Sequence, residues 1–449
     1  MAIIAPFRGL RFNTEKIAHL EEVVTPPYDV IDEKAQARFV EKNPYNMVQL
    51  DLSKKVSTEE SYANARALFQ QWQDERILVR DTEPALYLYH IEYTHPSGTR
   101  LTRKGFVSLV QLAEFSEGIV KPHEKTFSEV TVGRAKLMDA CKTNFSKIFS
   151  LYADQEGEII RLLEDAKSGK PLCSVDDLDG NKHTIWEVTD FMVIDQVRGL
   201  LRDRALYIAD GHHRYTTALN YRQLIRERQG ELPSDSPFNH VMMYLCDMED
   251  PGLSVLPTHR LLRLPGVRSA DDCVKALKKG FTIEEISGGS REVLLAEVFA
   301  RLDEEKQSGG MFGFYHPEED RCFLMKIKDS VYRKAMKGLQ PGPLLDLDVV
   351  MLSEFALEKM LGLSHETCER ENLIDYYSDP DAALDGAVKE YTLNPAYTPM
   401  LFLMNETPVS QVKRVADENL VMPHKSTYFY PKILTGLVMN KLVEGESVF

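Results

Sequence analysis

The sequence predicts a mixed α/β (α+β) protein, and three stretches carry that expectation. Residues 205–209 (ALYIA) form an apolar run of strand length that ends at Asp210-Gly211 and passes at once into a helical pattern. Residues 86–95 (LYLYHIEYTH) and 105–112 (GFVSLVQL) flank the turn Pro96-Ser97-Gly98 and read as a hairpin. From about residue 261 the texture becomes β-α-β-α-β-β, which reads as a separate α+β part.

Taken in chain order, VVTPPYDVID (23–32) reads as a strand end followed by a double-proline turn. Residues 59–77 carry Ala63, Ala67, Leu68 and Trp72 and read as an amphipathic helix. After the hairpin, a helix is expected from Ser128, with that serine as its cap and Val132, Ala135, Leu137, Met138 and Cys141 on its apolar face. A polar stretch at 156–169 precedes the short strand HTIWEV (183–188). The helix after Gly211 carries Tyr215, Ala218, Leu219 and Ile225 at helical spacing, which gives it a face to pack on a sheet. In the last part LLRL, FTIEEI, GMFGFYH and RCFLMKIK alternate with helices near 271–279 and 291–305. LLDLDVVMLSEFALEKML is expected to be helical, MLFLMN to be a strand, and Pro431 to open a final helix through ILTGLVMNKL.

At 449 residues the chain exceeds one ordinary core. We expect an N-terminal α+β part over 1–105, a phosphate-binding core over 106–260 and a C-terminal α+β part with a closing tail over 261–449. A hydrophobic content of 43% and a charged content of 27% are those of a globular protein. The net charge of −15 argues against broad nucleic-acid binding, which needs Lys and Arg to neutralise phosphates, but it leaves room for a local basic pocket. The cysteines are scattered with no C-x-x-C pair, which fits reduced thiols and gives no zinc framework. No signal peptide is read, and no window approaches the roughly 18 apolar residues of a membrane span. The expected setting is the cytoplasm. The sequence leaves the oligomeric state open.

The most informative motif is YIADGHHRYTT (207–217). The helix that follows Gly211 opens with His212, His213 and Arg214, at the end where backbone N–H groups are free and the dipole is positive. Cations on that spot make sense when an anion sits among them, and a strand, a glycine turn and a helix N-terminus form a phosphate site. Gly211 permits close approach, Arg214 can fork onto phosphate oxygens, and the histidines can donate hydrogen bonds. Asp210 can hold Mg²⁺ or cap the helix. The plain alternative is an Asp-capped helix with exposed histidines. A two-histidine metal site is disfavoured, because adjacent helical residues point about 100° apart.

KPHEKT (121–126) sets Glu124 among His123, Lys121 and Lys125. That carboxylate can serve as general base for a hydroxyl nucleophile with a lysine on transferring phosphate, or the segment is a solvated charged loop. In MPHKSTYFYPK (422–432), Lys425, Ser426 and Thr427 can offer an ammonium and hydroxyls to phosphate, although the aromatic run reads first as a core strand. TPPYDV (25–30), NPYNMVQLDL (43–52) and DPGLSVLPTHR (250–260) are turn-rich segments that read first as structural and second as cleft-lining. No P-loop, G-x-G-x-x-G fingerprint, protein-kinase set or G-x-S-x-G elbow is present.

These segments, together with PFRGLRFN, NFSKIF and LPTHR, resemble almost end to end a widespread, mostly bacterial family catalogued as domain of unknown function 1015. The order of a V-x-P-H-E loop, a helix and a strand ending in D-G-H-H-R is also similar to the ParB/sulfiredoxin-like fold, over about residues 106–260. Free-serine kinases of that fold use a glutamate in an H-E loop as the base that activates the serine hydroxyl, together with a D-G-H-H-R turn. The resemblance implies Glu124 as base and Asp210, His212, His213 and Arg214 around phosphate and Mg²⁺. The expected activity is that of a nucleotide-dependent small-molecule kinase using ATP or ADP, with free L-serine as first acceptor. The competing readings are a nucleotide hydrolase or nucleotide-switched regulator, a nuclease or DNA-binding module, and a scaffold with a relict pocket.

Overall fold

The apolar runs around residues 86–94, 105–111 and 205–209 come together in one nine-stranded sheet. A computed structural model describes residues 1–52 and 58–448 of the chain. Its architecture is mixed α/β, in two units. The first comprises Met1–Pro122, Thr126–Ser254 and Pro431–Phe449, and the second His123–Lys125 and Val255–Tyr430.

The sheet of the first unit consists of β1 (Ile4–Ala5), β2 (Leu86–Thr94), β3 (Arg100–Gln111), β4 (Val120–Lys121), β5 (Ile148–Tyr152), β6 (Cys173–Asp176), β7 (Lys182–Val188), β8 (Leu206–Asp210) and β9 (His240–Asp247). Its order is β4-β8-β5-β9-β3-β2-β7-β6, with β1 paired to β3. The sheet is mixed: β8 runs parallel to β4 and β9 parallel to β5, while the hairpin β2–β3 is antiparallel with Tyr87 opposite Val107. Strands with long apolar runs, such as β9, are buried along their whole length, as an internal strand between covered faces must be.

Among the helices of this unit are α1 (Glu33–Lys42), α2 (Thr58–Asp74), α3 (Ser128–Cys141), α4 (Phe191–Leu201) and α5 (His212–Gln229). Tyr215, Ala218 and Leu219 of α5 join Leu206 and Ile208 of β8, Ile148 of β5 and Val241 of β9 in one buried cluster, as the helical spacing required.

The second unit is built on a six-stranded sheet. Its strands are β10 (His259–Pro265), β11 (Phe281–Ile286), β12 (Met311–His316), β13 (Arg321–Ile327), β14 (Ile374–Tyr377) and β15 (Tyr397–Leu403). Neighbouring strands in the order β11-β13-β12-β15-β10-β14 run antiparallel. Alternation along β10 sends Leu262 and Leu264 to one buried cluster and Leu261 to another, so both faces of the sheet are covered.

Three expectations need correction. The division at 105 falls inside β3, and the break at 260 falls inside β10; the units instead change at 254–255, and residues 431–449 return to the first unit. The tail 431–442 forms no helix. Residues 433–440 are buried on every side, Gly436 stands at φ +100°, and the segment pairs through Thr435 with Thr25 and through Asn440 with Asn144. A segment with no solvent face has no amphipathic stripe to favour a helix. Finally, Ser128 does not cap α3. Phe127 holds the N-cap position in extended conformation, without a side-chain cap. Its N–H donates to His213 Nε2 at 3.0 Å. Among the described residues no helix is long and apolar enough to cross a membrane.

Candidate functional site

Strand β8 ends at Asp210 and α5 begins at His212, with Gly211 between them as N-cap at φ +99°. Glycine alone takes this backbone without steric cost. A Cβ at Gly211 would lie 2.9 Å from Arg214 Nε, so the missing side chain also makes space for the guanidinium. Arg214 folds back over the turn. Its Nη2 donates to Asp210 Oδ2 at 2.6 Å, and its Nη1 donates to the Lys147 carbonyl. From the other side Lys432 Nζ donates to Asp210 Oδ1 at 3.0 Å. Burial works to raise the Asp210 carboxyl, but Lys432, Arg214 and His212 override it and hold it well below the usual carboxylate range.

Asp210 therefore neither caps α5 nor leaves it bland, and His212 is buried rather than exposed. His213 is half-buried; its Nε2 accepts from Phe127 N, and its ring stacks on Phe127 at 5.7 Å. Lys121 lies on β4, with Nζ 5.4 Å from the Tyr207 ring centroid.

More cationic groups surround this turn than the motif alone contains. Lys147, 1% exposed, donates to the Leu434 carbonyl at 3.0 Å. Burial, with Arg214 as a repulsive neighbour, pulls its ammonium down to about 7. Arg134 pairs with Asp51 and stacks over the Tyr28 ring at 4.0 Å. Arg134, Arg214, Asn144, Ser146 and Thr217 help line a cavity of ≈ 30 Å³, which is room for about one water. Arg214, Lys432, Lys147 and Arg134 thus stand against Asp210, Asp51 and, through its field on Arg214, Asp29.

Magnesium does not fit Asp210 in this arrangement. Each of its oxygens is taken by a cation, and among the described residues no group of three or more His, Cys, Asp or Glu side chains is placed to hold a metal.

The remaining candidates lie in the second unit. His123 is fully buried, with Nε2 3.2 Å from Thr427 Oγ1. Its carbonyl accepts from Met422 N at 2.7 Å, and half-buried Glu124 forms a parallel bridge with Met422. Lys125 is exposed, and Lys425 occupies a left-handed turn position at φ +56°. Ser426 is buried; its hydroxyl donates to Pro423 O at 2.5 Å, so it closes a turn instead of facing a phosphate. The structure thus brings His123, Glu124 and Lys125 together with the MPHKST segment within one unit, and gathers Asp210, Gly211, His212, His213 and Arg214 within the other.

Sequence reasoning missed Lys432, Lys147 and Arg134. Lys432 was visible as the last residue of MPHKSTYFYPK, and Tyr28 and Asp51 lie in turn-rich segments weighted as structural.

A family model described as "Protein of unknown function (DUF1015)" matches residues 4–350. Among solved structures, a free serine kinase variant in complex with ADP is 12% identical at a TM-score of 0.37, covering 75% of this chain and 91% of that one. A free serine kinase in complex with AMP is 12% identical at a TM-score of 0.36, with the same coverage, 75% and 91%. A conserved hypothetical protein from Pyrococcus furiosus is 13% identical at a TM-score of 0.34, covering 75% of this chain and 95% of that one. No curated protein matches the chain. With well over half of its length matched by the family model, the chain belongs to the DUF1015 family of proteins of unknown function.

Proposed function

We propose that the chain is a nucleotide-dependent small-molecule kinase that transfers phosphate to a hydroxyl, with free L-serine the first acceptor to test. The reading keeps a ParB/sulfiredoxin-like phosphate-binding core in the first unit. The observation that carries it is the placement of Arg214 and Lys432 on either side of Asp210 at the opening of α5. A nucleotide phosphate competes with Asp210 for these two cations and meets the positive end of the helix dipole. Buried Lys147 adds charge at the same turn when protonated.

Phosphoryl transfer asks a protein mainly for positioning and charge neutralisation. In this reading the bond between the terminal phosphorus of ATP or ADP and its bridging oxygen breaks, and a bond from phosphorus to the acceptor oxygen forms. The hydroxyl proton passes to Glu124, the base assigned by the H-E loop, which His123 anchors through Thr427. Lys121, Lys125 and Lys425 are the further candidates for charge neutralisation. Mg²⁺ enters with the nucleotide as part of the substrate.

The test is direct. The full chain is incubated with Mg²⁺, ATP or ADP and a mixture of amino acids, and the products are read by mass spectrometry. The expected product is O-phosphoserine with matching loss of nucleotide. Nucleotide consumed with no phosphorylated acceptor would make the protein a hydrolase instead, and no consumption at all would remove the kinase reading.

A further inference from the structure

The LPTHR segment takes no part in that reading, yet it holds the least compensated charge described in the second unit. Arg260 lies on β10 between Tyr376 of β14 and Phe402 of β15, 1% exposed. It shares its sheet face with Leu262 and Leu264 and the large apolar cluster that includes Met404 and Met422. One terminal nitrogen is used: Nη1 donates to the Thr258 carbonyl at 3.1 Å and touches Met404 Sδ at 2.7 Å. The other two, Nε and Nη2, are buried without a hydrogen-bond partner, and among the described residues no carboxylate pairs with Arg260. The Thr258 hydroxyl, also buried, has none either.

The contrast within the same strand is informative. Arg263 is less buried, and it still receives two carboxylates, Asp375 at 2.5 Å and Glu390 at 2.8 Å. Arg260 receives none, and burial pulls its guanidinium below the ordinary arginine value. The Tyr376 ring, 5.6 Å from its Cζ, offers only a weak cation–π contact. An uncompensated buried charge is among the least favourable arrangements in a protein core.

The two idle nitrogens are not scattered. Nε and Nη2 form one edge of the guanidinium, the edge that grips a carboxylate or phosphate through two parallel hydrogen bonds. We propose that this edge of Arg260, with the hydroxyl of Thr258, is an oxyanion subsite of the second unit, filled by the carboxylate or phosphate group of a small ligand. The site needs neither nucleotide nor phosphoryl transfer, so it stands or falls separately from the kinase reading.

The test is thermal denaturation of the full chain in inorganic phosphate, in acetate, and in chloride at matched ionic strength. A ligand that binds only the folded state raises the melting temperature in a saturable way. The wild type is expected to respond to phosphate, to acetate or to both, and the responding anion identifies the source of the oxyanion. Arg260→Met is expected to lose the response and to melt at or above the wild type without anion, since it removes the stranded charge. Arg260→Lys, which keeps the charge without the fork, weakens half-saturation by about tenfold and decides the matter if Arg260→Met does not fold. Thr258→Val weakens it in the same direction. No response to either anion in the wild type, or an undiminished response in the Arg260 variants, would overturn the proposal. So would a response abolished by Arg214→Gln but kept by Arg260→Met, because it would place the anion in the first unit.

Discussion

Lys432 sets its ammonium 3.0 Å from Asp210 Oδ1, although 222 residues separate the two in the chain. The tail thereby supplies to the β8–α5 turn a cation that the D-G-H-H-R motif does not contain. With Arg214 on the other oxygen, the carboxylate acts as an internal counterion for a pair of cations.

Removing that counterion is expected to strand both cations. Asp210→Asn should lower stability by roughly 3–5 kcal/mol, the range for breaking a mostly buried ion pair by deleting one partner. Because the folded carboxyl lies below its unfolded value, the difference between wild type and variant is full above about pH 4 and shrinks as pH falls towards the folded value. Inorganic phosphate should restore part of the loss by taking the vacated place. Chemical denaturation across pH, with and without phosphate at equal ionic strength, measures all three.

Gly211→Ala adds a methyl 2.9 Å from Arg214 Nε at a backbone φ of +99°. The left-handed backbone alone costs about 1–2 kcal/mol, and moving the guanidinium adds to it. Melting temperature reads the first effect. A parallel loss of nucleotide affinity reads the second.

Lys147 is the pH-sensitive element of this turn. Its folded pKa of about 7 lies below the ordinary lysine value of 10.5, so the unfolded chain binds the extra proton between those limits. Stability should therefore rise with pH between about 7 and 10.5 and level off at its lower value below 7, the whole change being on the order of a few kcal/mol. Lys147→Met is expected to be more stable than wild type at pH 7 and to lose that dependence. Denaturant titrations of both proteins at several pH values give the comparison.

Glu124→Gln separates chemistry from binding. If Glu124 takes the acceptor proton, the variant should lose transfer by a factor on the order of 10²–10⁴ with nucleotide affinity unchanged. Initial rates and equilibrium titration on the same preparation decide it, and full activity would remove Glu124 from the base role.

Local signals were read well wherever one physical cause fixed the outcome. The apolar run 205–209 had to be a strand and Gly211 had to be the turn, and the alternation from Leu261 to Ile327 gave strands and helices in the expected order. The tail failed because ILTGLVMNKL is apolar enough for a helix face, yet it threads the interior and pairs as β-bridges, which is a tertiary decision. The Ser128 cap failed for a similar reason: Phe127 is held by His213, 86 residues away. At the site, the motif located the strand–glycine–helix turn but not the inward commitment of Arg214. Its partners Lys432 and Lys147 come from distant segments, and Arg260 looked like one more polar turn residue until its burial was known.

In the proposed function a nucleotide phosphate occupies the turn between Arg214 and Lys432. Calorimetric titration of Mg-ATP and Mg-ADP into the wild type and into Lys432→Ala tests it most directly. The expected result is saturable binding to the wild type and affinity weakened by about tenfold or more in the variant, the loss of one charge-assisted contact. Equal affinity in the two proteins, or no binding to the wild type, would contradict it.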